Sequence, residues 1–319
     1  MSGTAETPPL QQVAPILREM GLPPPLAITD IKDGGSRVFR LDLADGSAVV
    51  LKRYDEHQRQ HYVVSGERYA SRLLEGLDVP ITRYLLQDES LTRLPFPFAI
   101  TSHLPGVTVK SLAGEPDIAD AWREMGKLLR RLHAVPTPGY GKFGPDGVVD
   151  PLASNAEAMR RSFAHAFAQV RRYGADEGLA EKLELVVADR FDAMTWSRGP
   201  VFAHHDLHPG NVLVERDAAG RLRLAGLIDF GNARAADAVS DLAGSLFFTE
   251  HEMPGSTQHI LAGYGPIDHP DPTGALWLYT LHHRLVMWWW LRQVGIIADG
   301  ERHDLIRDLE AMADESGPR

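Results

Sequence analysis

The chain has 319 residues, 44% hydrophobic, 24% charged and 8% aromatic, the balance of an ordinary globular protein of one large or two modest domains. Collagen, coiled coil and wholesale disorder are excluded, and with no cysteine so are disulfides, thiolate catalysis and cysteine-ligated zinc or iron–sulfur sites. Lys plus Arg number 33 against 43 Asp plus Glu, a formal charge of −10, which argues against nucleic acid or an anionic membrane as a partner.

The opening MSGTAETPPLQQ lacks the basic-then-apolar plan of a secretory signal, so residues 1–9 are read as a disordered tail and a cytoplasmic location is expected. Strand patterns follow at 28–31, 38–43 and 48–53, with turns at Asp33-Gly34-Gly35 and Ala44-Asp45-Gly46 between them, which makes an antiparallel meander. A helix is predicted over 63–74, and further strands over 82–86 and 98–102. From Ile118 the apolar positions recur at helical spacing: Trp122, Met125, Leu129 and Leu132, then Leu152, Ala156, Met159, Phe163, Phe167 and Val170. A third helix begins near Leu179, two short apolar runs over 211–214 and 222–228 flank a turn at 217–220, and the remainder reads as mainly helical. The window 285–291, LVMWWWL, is far shorter than the roughly 20 residues of a membrane span and is read as core. A strand-rich front and a helix-rich back predict an α+β chain with an N-lobe over 10–102, a hinge over 103–106 and a C-lobe over 107–319.

The chemistry is concentrated in VFAHHDLHPGNVLVERDAAGRLRLAGLIDFGN, residues 201–232, which contains His204-x-Asp206-x4-Asn211 and, after a hairpin-like stretch, Asp229-Phe230-Gly231. A loop carboxylate beside an acceptor hydroxyl can orient it and take its proton. An amide oxygen five residues later and a second carboxylate across the hairpin can hold magnesium against nucleotide phosphates.

The stretches HHDLHPGNVLVE and LIDFGNA resemble the catalytic and metal-binding loops of the aminoglycoside phosphotransferase and choline kinase group of protein-kinase-like enzymes. The order of the other parts agrees over residues from about 26 to 250. The resemblance implies a bilobal protein-kinase-like fold, ATP or GTP with Mg²⁺ as cofactors, Asp206 as catalytic base, and Asn211 and Asp229 as metal ligands. It further implies that His204 buttresses the loop and that His208 approaches the phosphates or metal. One departure is His205, which stands where many members carry glycine.

In the front part, VVLKR puts Lys52 inside an apolar strand, where a lysine is costly without a partner. Glu67, 15 residues later on the predicted helix, is the expected partner, with Lys52 reaching the α- and β-phosphates. The turn with Gly34, Gly35 and Ser36 would cover the phosphates with backbone amides and a hydroxyl, although it matches neither GxGxxG nor GxxxxGK[ST]. Residues 98–106 look like the family's linker to adenine, with Thr101 and His103 the expected contacts. Asp237 suits a helix N-cap, and Asp241 lies one turn on, where related kinases use an aspartate to accept backbone hydrogen bonds from the catalytic loop.

The expected activity is O-phosphorylation of a small-molecule hydroxyl, on an aminoglycoside or amino-sugar antibiotic. Glu250, Glu252, Asp268 and Asp271 stand as candidate attractors of a cationic acceptor, and the tryptophans at 277 and 288–290 as stacking surfaces. The alternatives are a metabolite kinase acting on choline, a homoserine-like alcohol or a sugar, and a nucleotide-binding pseudokinase. A protein substrate is disfavoured, because no Ala-Pro-Glu follows Asp229.

Overall fold

The computed structural model describes residues 7–31, 37–61, 63–298 and 301–315, with the His57 side chain left out. They fall into two compact units, one made of 1–121, 143–147 and 209–233, the other of 122–142, 148–208 and 234–319.

The first unit is built on a five-stranded antiparallel sheet of order β1-β2-β3-β5-β4. Its strands are β1 (Pro25–Asp30), β2 (Arg37–Leu43), β3 (Ala48–Arg53), β4 (Tyr84–Asp88) and β5 (Phe98–Ser102). Alternation along β2 and β3 sends Phe39, Leu41, Val49 and Leu51 to one face. There they meet Val13, Ile16 and Leu17 of α1 (Leu10–Glu19). That helix was not anticipated from the sequence, although its three buried residues recur at i, i+3 and i+4. Of the predicted tail, residues 1–6 lie outside the described residues. The opposite face of β3 carries Lys52 and is covered by α3 (Val63–Leu73), after the short α2 (Glu56–Gln60). Ser71 donates to the Thr82 carbonyl at 2.8 Å and ties α3 to the approach to β4.

A second, three-stranded sheet in this unit joins β6 (Val107–Thr108), β9 (Val212–Arg216) and β10 (Leu222–Leu227) in the order β10-β9-β6. The β9–β10 hairpin pairs Arg216 with Leu222 at its turn and Val212 with Leu227 at its open end.

The second unit is mainly helical: α4 (Ile118–Leu132, whose first residues belong to the first unit), α5 (Asn155–Arg172), α6 (Glu177–Arg190), α7 (Ala238–Glu252), α8 (Thr257–Tyr264), α9 (Pro272–Gln293) and α10 (Asp304–Asp314). The helical starts follow side-chain caps. Ser154 accepts from the Glu157 amide, which moves the start of α5 three residues beyond Leu152, and Asp176 caps α6 through the Leu179 amide. Met159, Phe163, Leu183, Ala243, Leu278, Leu281 and Trp288 form the core where α5, α6, α7 and α9 pack. Helices α4 and α8 cross so closely that a Cβ on Gly126 would lie 2.1 Å from the Ile260 carbonyl oxygen. The sequence pattern did not single out α8 as a separate helix. A small sheet of order β7-β11-β8 links β7 (Gly141–Lys142), β11 (Arg234–Ala236) and β8 (Val201–Ala203).

Candidate active site

In the first unit the polar face of β3 holds a charge cluster. Lys52 Nζ donates to Glu67 Oε1 at 2.6 Å and to Asp229 Oδ1 at 2.9 Å. Glu67 is 1% exposed, whereas the Asp229 side chain is 41% exposed, so the lysine bridges a buried carboxylate and an open one. Burial opposes the charge on Lys52, but Asp229 and Glu67 together outweigh it and raise its pKa above the ordinary lysine range. Tyr54 donates to Glu67 Oε2 at 2.7 Å, and Tyr84 donates to the same oxygen. The sequence reading found Lys52 and Glu67 but neither tyrosine.

Asp229 follows β10 in the left-handed region, at φ 60°, a conformation Asp tolerates better than most residues. Its Oδ1 also accepts the Gly231 amide at 3.2 Å. A Cβ on Gly231 would lie 3.0 Å from Glu67 Oε1 and 3.2 Å from Asp229 Oδ1, so a side chain there would press on the cluster. Asn211 precedes β9, and its carbonyl accepts the Ile228 amide at 3.1 Å. The hairpin ladder therefore brings Asn211 and Asp229 to one end of one element. Their side chains supply an amide oxygen and a carboxylate, the hard donors that suit a magnesium ion shared with phosphates.

Thr101 sits buried in β5, opposite Val50 of β3 and Tyr84 of β4. His103 is half-buried just past β5, with its Nε2 3.2 Å from Arg40 Nη1. Burial and the Arg40 charge lower its pKa. Gly34, Gly35 and Ser36 lie outside the described residues.

In the second unit β8 leads into His204-His205-Asp206. The carboxylate of Asp241, in the first turn of α7, accepts the His204 amide at 2.9 Å and the His205 amide at 2.7 Å. Asp241 Oδ2 also lies 3.0 Å from His133 Nε2, and His133 Nδ1 lies 2.9 Å from the Tyr264 hydroxyl. Burial would raise the pKa of Asp241, but the contacts of His133 and the loop amides lower it. Asp237 caps α7 through the Val239 amide at 2.8 Å. His133 lies 108 residues before Asp241 and was not anticipated.

His205 takes φ 60°, the left-handed backbone that favours glycine, which accounts for the glycine expected at this position. Its ring lies 5.4 Å from that of His283, which in turn lies 5.8 Å from the rings of His282 and Phe248. His283 Nε2 is 3.0 Å from the Ser240 carbonyl, and His282 Nε2 is 2.7 Å from Ser162 Oγ. Burial lowers the pKa of all three histidines, that of His282 to about 3. Arg234 of β11 feels both Asp241 and Asp206, although burial is the larger influence and lowers its pKa. His208 Nδ1 lies 3.8 Å from Glu252 Oε1.

A model of the phosphotransferase enzyme family known as APH matches residues 27–277. The chain belongs to that family. As a phosphotransferase it shares its α+β kinase-like fold with solved aminoglycoside phosphotransferases. The crystal structure of aminoglycoside phosphotransferase APH(4)-Ia has a TM-score of 0.74 at 18% identity, covering 97% of this chain and 100% of that one. A thermostable mutant of the same protein, in ternary complex with ADP and hygromycin B, gives a TM-score of 0.71 at 18% identity over 95% and 98% of the two chains. The GDP complex of aminoglycoside 2'-phosphotransferase-IIIa gives 0.65 at 15% identity over 96% and 97%.

The acidic stretch ahead of α9 is committed to structure in this phosphotransferase. Glu250 accepts from the Gly255 and Thr257 amides and from the Ser256 and Thr257 hydroxyls, which outweigh its burial and lower its pKa to about 2. Asp268 pairs with Arg198, and Asp271 caps α9 through the Gly274 amide. Among the tryptophans, Trp288 is core, Trp289 stacks on Tyr173, Trp277 donates to Glu315, and Trp290 is 44% exposed.

Proposed function

We propose that this phosphotransferase moves the γ-phosphoryl group of a nucleoside triphosphate, ATP or GTP, to a hydroxyl of a small molecule, with an aminoglycoside or amino sugar as the first acceptor class to test. The observation that carries this reading is the cluster in which Lys52 bridges Glu67 and Asp229 while Asn211 and Asp229 share the open end of one hairpin. A structural ion pair would need one carboxylate; the second, open one suits a ligand that takes the place of the lysine on it. The solved neighbours lend support, since their names record complexes with ADP and hygromycin B and with GDP and kanamycin.

In this reading Lys52 holds the α- and β-phosphates, and Asn211 and Asp229 would hold magnesium. When bound, that ion supplies charge neutralisation to the phosphoryl group in transfer. Asp206 orients the acceptor hydroxyl and takes its proton as the new oxygen–phosphorus bond forms and the bond to the leaving diphosphate breaks. Asp241 keeps the backbone before Asp206 in place through two amides, and His208 would approach the phosphates. Thr101 and His103 would border the base.

One observation favours a metabolite acceptor as the second reading. Of the four acids nominated to attract a polycation, Glu250, Asp268 and Asp271 are occupied by a turn, an ion pair and a helix cap, which leaves Glu252, 3.8 Å from His208. An ATP-consumption screen over aminoglycosides, amino sugars, choline, homoserine and neutral sugars separates the two. Silence across the panel would favour the pseudokinase. On whichever acceptor responds, Asp206→Asn should lower kcat by about 10²- to 10⁴-fold and leave nucleotide affinity within about twofold.

A further inference from the structure

We propose that Tyr54 and Tyr84 are positioning residues for the phosphate-binding lysine, their two hydroxyls fixing Glu67 and, through it, Lys52. The proposal rests on the reading that Lys52 meets the nucleotide phosphates.

The Glu67 carboxylate is buried, and each of its oxygens has a donor: Lys52 on Oε1, the two phenols on Oε2. An ionised carboxylate out of water needs such donors to offset its desolvation. These donors come from different elements. Lys52 is on β3, Tyr54 follows β3 at the next same-face position, and Tyr84 opens β4 opposite Thr101 of the intervening strand β5. A role in packing alone would ask only for two aromatic rings, since Tyr54 already packs against Val64 and Ala99. Both hydroxyls are instead spent on one oxygen atom of one acid. Burial and the Glu67 charge raise the pKa of both phenols well above the ordinary tyrosine value, so they remain donors.

The consequence lies in how the lysine divides itself. Lys52 touches a fixed carboxylate and an exposed one. When phosphates and a divalent cation compete for Asp229 and Lys52, the Glu67 contact is the one that stays, because Glu67 is gripped from two strands. The ammonium is thereby aimed before nucleotide arrives, and α3 need not swing to assemble the pair.

The test is calorimetric titration of the full chain with Mg·AMP-PNP. Tyr54→Phe with Tyr84→Phe keeps both rings and removes both hydroxyls, and the pair should weaken affinity about tenfold, as expected for hydrogen bonds to a charged group. In a Glu67→Gln background the same pair should change affinity less than about twofold, since its effect runs through that carboxylate. The single variants give the same comparison if the double variant folds poorly. An unchanged affinity in the phenylalanine variants, while Lys52→Ala loses binding, would overturn the proposal and leave the nucleotide reading intact. So would an equal loss with and without Glu67. Binding by Lys52→Ala as tight as that of the unaltered chain would overturn the nucleotide reading and this proposal with it.

Discussion

The charge cluster around Lys52 and the loop before Asp206 are held by opposite means. Around Lys52 the contacts join side chains to side chains, a lysine and two phenols meeting two carboxylates. Around Asp206 one buried carboxylate, Asp241, grips the backbone itself, and burial disfavours charge on the rings of His205, His282 and His283. A side-chain cluster can exchange partners without moving the chain, which would suit groups that yield to phosphates as proposed. A backbone grip cannot be exchanged without refolding the loop, which suits a residue whose direction must not vary.

That contrast breaks most sharply at Asp241. Asp241→Ala leaves two amides and His133 without their acceptor and should cost about 3 kcal/mol or more in urea unfolding. Asp241→Asn keeps one acceptor oxygen and should cost roughly half as much. A loss under about 1 kcal/mol for the alanine variant would mean that the loop holds itself.

Acid should expose the histidine rings next. Burial lowers the pKa of His205, His282 and His283 in the folded chain, that of His282 to about 3, while in the unfolded chain each titrates near pH 6.5. The contribution of His282 is complete above that value and declines as pH falls from about 6.5 toward 3, by about 1.4 kcal/mol per pH unit, and His205 and His283 act in the same direction. His282→Phe should flatten the stability-against-pH curve in that window by one histidine's share. An unaltered slope would show that His282 takes up its proton without unfolding.

A more local effect concerns His205. Its left-handed backbone is strained for a side chain and worst for a β-branched one. His205→Val should be less stable than His205→Gly by about 2 kcal/mol in thermal or urea unfolding. Equal stabilities would place this backbone outside the left-handed region.

Local signals made much of this legible. The meander of β2 and β3 shows in its alternation, α4 in its 3.6-residue period, and α7 in its Asp237 cap. Lys52 announced itself as a charge in an apolar strand, and its pairing with Glu67 is seen, while Asp206, Asn211 and Asp229 drew attention as candidates by their spacing. What escaped notice depends on contacts far apart in sequence. Tyr54 and Tyr84 look like ordinary strand aromatics until Glu67 is folded beneath them, and nothing near His133 points to Asp241. The strands β8 and β11 are each too short to show alternation and exist because Arg234 pairs with Ala203. The short helix α8 is hidden by the Gly, Pro and Asp residues around it, and its close crossing with α4 through Gly126 has no periodic signature.

The hairpin that brings Asn211 and Asp229 together also separates them from its own tip. Asp217 closes that tip by accepting the Ala219 and Arg221 amides, at the far end of the ladder from both residues. A change at this tip would thus act on a turn that Asp217 holds, a full hairpin length away from Asn211 and Asp229.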